Sequence, residues 1–308
     1  MSDRVALVTG ASRGIGKAIA VSLAEAGFDV AILARTLQEG EQREHSSTLK
    51  ASDTSALPGS LTSTAELVRA AGREALVLQG DLLDFASLGA AAARLLERWG
   101  RVDVVVHNAR YIGPGHMDRF LDTPIAILDA HLQANVLATL VLNQLLLPSM
   151  IEHGGGTVVN ITSASGYADP TEPAGEGGWG MGYGISKGAM QRIAGFLAVE
   201  LREQGVQAFN VQPGFIATER IAQDMAKFGF DASAGAPASV IGAVVAWLAT
   251  DPGAAELNGT TIEAQYFAHE KKLVADWGGP VPGQSIRYDM AAANIAALEE
   301  QLRAGSSS

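Results

Sequence analysis

Near its N-terminus the chain places a short apolar strand, a glycine-rich turn and a helix in direct succession. Val5–Thr9 has the continuous apolar character of a strand buried on both faces, and residues 17–26 repeat apolar positions with helical spacing. Between them, Gly10, Gly14 and Gly16 permit a tight turn and a close approach of the backbone to a diphosphate, which the first N–H groups of the helix can bind. A glycine turn alone would also be compatible with a flexible loop. Strand, turn and helix in this order predict a βαβ unit that binds a dinucleotide.

Beyond this unit, predicted strands and helices alternate, as a doubly wound parallel sheet requires. Further strands are predicted at residues 29–34, 75–79, 102–107, 157–162, 206–211 and 260–264. Helices are predicted at residues 63–71, 85–99, 123–149, 182–203 and 237–249. The first of these helices is assigned to a capping box of Ser63 and Glu66, and the third to Thr123 as N-cap with Pro124 in the first turn. The predicted fold class is α/β, with one parallel sheet of about seven strands and flanking helices.

Composition excludes several classes of partner. The 308 residues carry a net charge of −11, whereas nucleic acids and anionic membranes are bound by clustered Lys and Arg. No run of about 18 apolar residues is present, so no membrane span is predicted, and the start of the chain leaves no room for a signal peptide. The chain has no cysteine, which excludes disulfides and agrees with a cytoplasmic location. The six histidines show no metal-ligand spacing, and no metal site is predicted.

A tyrosine and a lysine four residues apart are candidates for chemistry. On a helix, Tyr183 and Lys187 share a face, and an ammonium beside a phenol lowers the phenol's pKa from its ordinary value of about 10. Such a phenol can donate and accept a proton near neutral pH. Ser163 follows the strand predicted at 157–162 and therefore lies at the carboxyl end of the sheet, where open α/β sheets bind their ligands. An ordinary exposed turn of helix would show the same Tyr-x-x-x-Lys spacing by chance.

Taken together, these motifs resemble the classical branch of the short-chain dehydrogenase/reductase family over residues 4–264. Residues 9–16 match the family's cofactor loop, Thr-Gly-x-x-x-Gly-x-Gly, at every fixed position. The family's Asn-Asn-Ala-Gly element appears in part at residues 107–110, and its Pro-Gly element appears as Pro213 and Gly214. The resemblance implies a single Rossmann-type domain, an oxidoreductase activity and a nicotinamide dinucleotide as cofactor.

The resemblance also implies roles for individual residues. Its catalytic residues fall on Asn135, Ser163, Tyr183 and Lys187. Tyr183 would protonate the developing alkoxide, and Ser163 would hydrogen-bond the same oxygen. Lys187 would hold the nicotinamide ribose, and Asn135 would hold a water that relays protons outward.

Two of these assignments have alternatives. Asn135 could merely hydrogen-bond backbone, and Thr162 or Ser165 could take the place of Ser163. The residues that the resemblance assigns to cofactor binding are Gly10, Ser12, Arg13, Gly14, Ile15, Gly16, Arg35, Asp81, Leu82, Asn108, Ala109, Tyr183, Lys187, Pro213, Gly214, Ile216 and Thr218.

The end of the second predicted strand indicates which nicotinamide cofactor is preferred. An NAD-selective enzyme places Asp or Glu there to bind the ribose 2′-hydroxyl, but this chain has Ala34 followed by Arg35. An arginine attracts the 2′-phosphate of NADP and can bind it with two hydrogen bonds, and Arg13 could reach the same phosphate. The sequence therefore predicts NADP, with NAD as the alternative. Arg35 could also be an ordinary solvated cation.

The sequence departs from the family at three places. Arg110 replaces the glycine that usually follows Asn-Ala, and it either points into the substrate mouth or forms a salt bridge on its loop. The polar insert, residues 36–61, is either disordered or a lid over the adenosine end. An added segment, residues 169–182, either covers the substrate pocket or is an exposed excursion. The candidate substrate-binding residues are Arg110, Tyr111, Met117 and Trp179.

The C-terminal part extends beyond the resemblance. Residues 1–264 are predicted as the dinucleotide-binding and catalytic domain, and residues 265–308 as an extension packed on it or on a neighbouring subunit. Residues 289–302 have a rough apolar stripe and are predicted to be helical. The inserts and this tail give a narrower likeness to hydroxysteroid-dehydrogenase-like members, which does not identify a steroid substrate. Because relatives often pair through the helices that carry Asn135 and Tyr183, a homodimer or homotetramer is expected.

Two functional classes follow from the sequence. The first is an enzyme that transfers a hydride between nicotinamide C4 and a carbonyl or secondary alcohol of a small to medium, partly apolar molecule. The second is an NADP-binding sensor without catalysis. Sensors of this kind tend to lose the Tyr-Lys pair, whereas this chain retains Tyr183 and Lys187, so the enzyme is favoured.

Overall fold

The computed structural model describes residues 4–223 and 235–280, and a parallel sheet of seven strands forms their centre. The strands are β1 (Val5–Thr9), β2 (Asp29–Ala34), β3 (Ala75–Gln79), β4 (Val104–His107), β5 (Gly156–Ile161), β6 (Val206–Gln212), β7 (Ile216–Ala217), β8 (Ala236–Pro237) and β9 (Thr261–Glu263). The order in the sheet is β3-β2-β1-β4-β5-β6-β9, and β7 and β8 form a separate two-stranded pair. This is the predicted Rossmann-type doubly wound fold, with the order reversing between β1 and β4.

Helices cover both faces of the sheet. They are α1 (Gly14–Glu25), α2 (Leu61–Ala70), α3 (Phe85–Trp99), α4 (Ile125–Leu132), α5 (Ala138–Glu152), α6 (Met181–Glu200), α7 (Glu219–Gln223), α8 (Ala238–Thr250) and α9 (Ala264–Glu270). Alternate residues of β1 belong to two separate apolar cores, because successive side chains of a strand point to opposite faces. Ala6 and Val8 pack towards α1 and α8, and Val5 and Leu7 pack towards α3 and α5.

The predicted N-cap of α2 is wrong by three residues. Ser60, not Ser63, is the N-cap: its Oγ accepts from the Ser63 N–H at 3.0 Å, and the Ser63 Oγ accepts from the Ser60 N–H at 3.1 Å. The two serines thus form the reciprocal capping box that was expected from Ser63 and Glu66. Leu61, the first helical residue, is fully buried, so packing as well as capping favours the earlier start. At the third helix, Pro124 occupies the N-cap position itself, one residue later than predicted.

Residues 125–152 form one continuous helix with an irregular centre. α4 and α5 are joined by a wide π-helical segment at Gln133–Leu137, and the 28 residues together are long and apolar enough to cross a membrane by length and composition. The helix still contains Asp129, His131, Gln133, Asn135 and Asn143, so it is not an uninterrupted apolar run, and the expectation that nothing spans a membrane stays a prediction. Leu142, Leu146 and Met150 are fully buried against the sheet, so the helix serves as a core helix of the domain.

The chain continues past the sheet without a break. α9 starts directly after β9, and Phe267 packs edge-on against Trp247 of α8 with ring centroids 4.9 Å apart. Ala268 on the same helix is 1% exposed. The start of the extension is thus packed on the domain. The domain boundary at 264/265 stays a prediction, and the helix predicted at 289–302 lies outside the described residues.

Candidate active site

The glycine turn after β1 has the backbone conformation that its sequence predicts. Gly10 and Gly14 have positive φ angles of 68° and 54°, which side chains disfavour. At Gly16, an added Cβ would lie 2.3 Å from the Gly10 carbonyl oxygen and 2.4 Å from Asn108 Nδ2. The turn is therefore packed closely against the loop after β4, and the first N–H groups of α1, whose residues line the cavity, are suited to an anion.

Two polar side chains fix this turn to the neighbouring strand. Thr9 Oγ1 accepts from the N–H groups of Asn108 and Ala109, both at 3.0 Å, and donates to the Val106 carbonyl at 3.2 Å. Asn108 Nδ2 in turn donates to the Thr9 carbonyl at 2.9 Å. The ends of β1 and β4 are thus joined where the sheet order reverses, which is where ligands bind in open α/β sheets.

Glu219 already places an anion at this helix N-terminus. Its Oε2 accepts from the Gly14 N–H at 3.0 Å, and its Oε1 lies 2.6 Å from Lys17 Nζ. Burial alone would raise the pKa of the Glu219 carboxyl, but the hydrogen bonds and charge of Lys17, with the Gly14 N–H, hold it below its usual value. The position thus accommodates negative charge, as binding of a diphosphate requires.

Lys187 is fixed at the carboxyl end of β5. Its side chain is buried, and Nζ donates to the Ile161 carbonyl at 2.6 Å. Burial, reinforced by the nearby charge of Arg110, lowers the pKa of Lys187 to about 7. Within the part of the chain that the structure describes, Nζ otherwise contacts only the Met190 sulfur, so the lysine and Tyr183 are not hydrogen-bonded to each other.

Tyr183 is half-buried one helical turn before Lys187, between two basic side chains. The His116 ring packs edge-on against its ring at 4.4 Å, and Arg110 Cζ lies 5.4 Å from the ring centroid. Ser163 begins a short 3₁₀ turn, and its Oγ accepts from the Ser165 N–H at 3.3 Å. Tyr183, Ser163 and Lys187 all line one cavity of about 470 Å³.

Of the alternatives to Ser163, one is separated from the cavity. Thr162 lines it beside Ser163, whereas Ser165 does not. The geometry therefore leaves Ser163 and Thr162 as hydroxyls beside Tyr183.

Asn135 lies behind the cavity wall. It is fully buried in the π-helical segment, its Oδ1 accepts from the Tyr111 N–H at 2.6 Å, and its Nδ2 donates to Ser186 Oγ at 2.8 Å. The amide thus joins the loop after β4 to helix α6. Its bond to the Tyr111 N–H matches the alternative prediction that Asn135 hydrogen-bonds backbone. Its role as a water-holding proton relay stays a prediction.

The other residues predicted for the site also line the cavity. Every residue assigned to the cofactor lines it, and so do the four candidate substrate residues, Arg110, Tyr111, Met117 and Trp179. The two arginines assigned to the 2′-phosphate differ. Arg13 donates from Nε and Nη2 to the carbonyls of Pro58 and Gly59, at 2.8 and 2.7 Å, and so holds the insert. Arg35 lies at the cavity wall, with Nη1 3.9 Å from Asp81 Oδ2.

The polar insert, residues 36–61, covers the cavity and is the main part of the site that the sequence did not reveal. The Asp118 carboxylate accepts from Thr48 Oγ1 at 2.6 Å and from the Leu49 N–H at 2.8 Å. Arg220 donates to the His45 carbonyl at 3.2 Å, and His45 lines the cavity. The insert thus packs over the cavity through contacts with Asp118 and Arg220, and a lid over the adenosine end stays a prediction. No local motif marks these contacts, because the partners are up to 175 residues apart.

The added segment, residues 169–182, also lies at the cavity. Its Gly180 N–H donates to the His116 carbonyl at 2.7 Å, and its Glu176 forms an ion pair with Arg119 at 2.6 Å. Trp179 reaches the cavity wall. This segment is therefore attached to the loop after β4 and helps to enclose the space beside Tyr183.

Comparison with known proteins agrees with this geometry. The sequence model described as "short chain dehydrogenase" matches residues 4–67 and 52–227. The chain belongs to the short-chain dehydrogenase family. A cyclohexanol dehydrogenase from Rhodococcus sp. (strain TK6) is 30% identical to this short-chain dehydrogenase over 230 residues, which cover 74% of the chain and 80% of the relative.

Two solved structures resemble this short-chain dehydrogenase. A short chain dehydrogenase from Mycobacterium paratuberculosis bound to NAD superposes with a TM-score of 0.66 and 25% identity, covering 85% of this chain and 96% of the other. A carveol dehydrogenase from Mycobacterium avium in complex with NAD has a TM-score of 0.70 at 23% identity, covering 84% and 95%, and shows a shared fold. The chain is thus an oxidoreductase of a family that binds nicotinamide cofactors.

Two histidines near the cavity of this short-chain dehydrogenase are buried and uncharged. Burial lowers the pKa of His131 to about 4 and that of His116 well below its usual range, and in both cases Arg110 adds to the effect. Within residues 4–223 and 235–280, neither ring nitrogen of His131 has a hydrogen-bond partner. These imidazoles are part of the packing around Tyr183, which the sequence did not predict.

Proposed function

We propose that this short-chain dehydrogenase interconverts a carbonyl and a secondary alcohol on a small to medium, partly apolar molecule, with NADP(H) as the preferred cofactor. The proposal rests on the convergence of Tyr183, Ser163 and Lys187 on the same cavity as the glycine turn. The family and the named relatives support an oxidoreductase of alcohols and ketones. The relative's own substrate, cyclohexanol, is a compact apolar alcohol.

The residues divide the proton chemistry between them. When bound, the nicotinamide would supply or accept the hydride. In reduction, the Tyr183 hydroxyl donates a proton to the developing alkoxide, and Ser163 Oγ hydrogen-bonds the same oxygen as charge appears. Lys187, whose Nζ is fixed to the Ile161 carbonyl, would hold the nicotinamide ribose. Asn135 holds the loop after β4 against α6 and so keeps the two walls of the site together.

The central test is removal of the tyrosine hydroxyl. Tyr183→Phe keeps the aromatic ring against His116 and Arg110, so cofactor binding should persist while turnover falls about 100- to 10,000-fold. We would measure NADPH and NADH oxidation with cyclohexanone and a panel of ketones, and cofactor affinity by fluorescence. Tight cofactor binding without turnover by the native protein on any substrate would favour the alternative, a nucleotide sensor.

The preference for NADP rests on Arg35 and on Ala34, which provides no acid for the ribose hydroxyl. Arg35→Ala should weaken NADP binding about 10- to 100-fold while leaving NAD binding nearly unchanged, because a charge-assisted bidentate contact is lost only for the 2′-phosphate. The matched control is Arg43→Ala, since Arg43 lines the same cavity but pairs with Glu41 at 2.6 Å. Equal loss for both cofactors would contradict the NADP preference. The NAD complexes of similar structures keep NAD as the alternative.

The outer faces of α5 and α6 support the proposal of a homo-oligomer. Leu140, Leu145, Phe196 and Val199 are exposed large apolar side chains on these two helices. Burial of such a patch against a second copy would remove apolar surface from water. Light scattering should give a dimer or tetramer mass for the native chain and a smaller mass for Phe196→Glu. A monomeric native chain would contradict the proposal, and the cytoplasmic location stays a prediction.

A further inference from the structure

A cation stands directly beside the proposed proton donor. Arg110 follows Ala109 at the end of β4, and its Cζ lies 5.4 Å from the centroid of the Tyr183 ring. Its Nη1 donates to the Tyr111 carbonyl at 2.9 Å, which fixes the direction of the guanidinium. The side chain lines the cavity that also holds Ser163. A molecule whose oxygen meets the Tyr183 hydroxyl must therefore bind close to this charge.

The positive charge of Arg110 affects the pKa values of three residues near Tyr183. Lys187 on α6, His131 on α4 and His116 on the loop between β4 and α4 each have a pKa lowered first by burial and then by the Arg110 charge. None of these three groups carries negative charge. Arg110 thus adds positive charge to a set of buried basic groups around Tyr183.

The carboxylates among the described residues that line the cavity form ion pairs with basic residues other than Arg110. Among the described residues that line it, the acidic ones are three, Glu41, Asp81 and Glu219. Their partners are Arg43 at 2.6 Å, Arg35 at 3.9 Å and Lys17 at 2.6 Å, respectively.

Among the described residues that line the cavity, Lys and Arg outnumber Asp and Glu. The chain carries a net charge of −11, yet the lining has six Lys and Arg side chains against its three carboxylates, namely Arg13, Arg35, Arg43, Arg110, Lys187 and Arg220. Phosphates of a dinucleotide account for positive charge beside the glycine turn. They do not account for Arg110, which stands at the tyrosine end.

The remaining wall around Tyr183 is apolar and aromatic. Tyr111, Met117, Trp179 and Phe215 all line the cavity, and Met117 is 5% exposed. Such a wall favours a flat or branched apolar body. The site thus presents three features together: a proton donor, a cation beside it and an apolar wall.

We propose that the substrate is an oxo acid, or the corresponding hydroxy acid, with an apolar body, and that Arg110 binds its carboxylate while its carbonyl oxygen meets Tyr183. The guanidinium matches a planar carboxylate with two parallel hydrogen bonds. This inference rests on the proposed function and adds the substrate class. In reduction, the carbonyl carbon gains the hydride from the reduced nicotinamide, which is thereby oxidised, and the oxygen gains the Tyr183 proton. The carboxylate is unchanged, and oxidation of the hydroxy acid reverses each transfer.

The test compares an acid with its uncharged ester on the same carbon frame. Benzoylformate and methyl benzoylformate both place a ketone beside a phenyl ring and differ in the carboxylate charge, and 4-oxopentanoate with its methyl ester moves the carboxylate further away. For the native enzyme we expect kcat/KM to favour at least one acid over its ester about 10-fold or more. Arg110→Gln should lower kcat/KM for that acid about 10- to 100-fold and change the ester less than about 3-fold. Arg110→Lys should retain part of the preference, and Arg94→Gln, the same charge change on the outer side of α3, should retain all of it.

A binding measurement keeps the inference testable if these ketones are poor substrates. With saturating NADP⁺ present, benzoate should bind the native protein more tightly than benzamide does, as measured by quenching of Trp fluorescence. Arg110→Gln should remove this difference in affinity. Equal binding of benzoate and benzamide, or a preference that survives Arg110→Gln, would overturn the inference. Stronger competition by inorganic phosphate than by benzoate would also overturn it, because the site would then select phosphate.

The inference and the proposed function fail in different ways. If neutral ketones turn over in a Tyr183-dependent manner but acids gain nothing from Arg110, the substrate class is wrong and the function stands. If benzoate binds through Arg110 while no ketone, acid or ester is reduced, the anion site stands and the hydride-transfer function is wrong.

Discussion

The two ends of the cavity are built in different ways. The cofactor end is made mostly of main chain: Gly10, Gly14 and Gly16 shape the turn, and Thr9 with Asn108 fixes it to β4. The substrate end is made of side chains from four distant stretches of chain, namely residues 45–49, 110–118 and 179–183 together with Phe215 and Arg220. The diphosphate of the cofactor can thus be bound by one local motif. The substrate end depends instead on tertiary contacts between residues far apart in sequence.

The largest expected effect comes from a substitution in the glycine turn of the cofactor end. In Gly16→Ala, the new Cβ would lie 2.3 Å from the Gly10 carbonyl oxygen, so the turn must shift at the point where the diphosphate is expected. We expect the dissociation constants of NADP and NAD to rise about 100-fold, in the same proportion, since the shared diphosphate is affected. Isothermal titration calorimetry would check this.

The matched control for this substitution is Gly89→Ala. Gly89 lies within α3, and nothing lies within 4 Å of an added Cβ. This variant should bind cofactor normally and gain up to about 1 kcal/mol in free energy of unfolding, because alanine favours helix. Normal cofactor binding by Gly16→Ala would show that the turn does not hold the cofactor.

The next effect concerns acid stability of the substrate end. The pKa of His131 is about 4 in the folded chain, against about 6.5 when unfolded, so the unfolded state binds more protons between these values. This contribution to stability is complete above about pH 6.5 and is lost as the pH falls towards 4. His131→Phe should therefore leave the free energy of unfolding nearly unchanged at pH 7.5 and raise it by about 2 kcal/mol relative to the native chain at pH 5.

Urea titrations of both proteins at pH 7.5, 6 and 5 would measure this difference. Because carboxylates titrate in both proteins, the difference isolates His131. The exposed His153 serves as control, and His153→Gln should follow the native curve. Parallel curves for His131→Phe and the native chain would contradict a buried, uncharged His131.

A smaller effect should loosen the lid without touching the reacting groups. Asp118→Asn keeps the shape of the side chain but weakens its contacts with Thr48 Oγ1 and the Leu49 N–H, because a charged acceptor is replaced by a neutral one. We expect the insert to open more often and cofactor dissociation to quicken about 10-fold. Stopped-flow fluorescence would measure the rate, with exposed Asp122→Asn as control. An unchanged rate would mean that the insert does not retain the cofactor.

The smallest effect lies where the two ends meet. Glu219 comes from the substrate-side segment, yet its carboxylate accepts from the Gly14 N–H of the cofactor turn. Glu219→Gln removes a negative charge from the place where a diphosphate is expected, so NADP should bind about 3- to 10-fold more tightly at low salt, with a smaller gain at high salt. Weaker binding would show instead that Glu219 supports the turn.

The sequence predicted the parts of the molecule that depend on local pattern. The parallel sheet of about seven strands and the strand–turn–helix unit follow from apolar runs, glycine positions and family motifs, and the structure confirms this fold. The order of the strands was not predicted. The sequence placed the N-cap of α2 at Ser63, whereas the structure has Ser60 there. Either serine can cap a helix, and the burial of Leu61 decides between them.

The substrate end was less predictable for a physical reason. Asp118 and Thr48 are 70 residues apart, and Arg220 and His45 are 175 apart, so no short motif records either contact. The sequence left the insert open between disorder and a lid, because its polar composition is compatible with both. His116 gave no signal at all, since a single histidine acquires meaning here through its contact with the Tyr183 ring.

The π-helical segment at Gln133–Leu137 also sets the rotational phase of the helix that follows it. A π turn holds one residue more than the α-helical turn it replaces, and each residue of an α-helix rotates the chain by about 100°. Without that extra residue, Leu142 and Leu146 would turn away from the sheet, and Asn135 would no longer face both Tyr111 and Ser186. The helix therefore cannot lose one residue at this point without changing both its buried face and the wall behind the tyrosine.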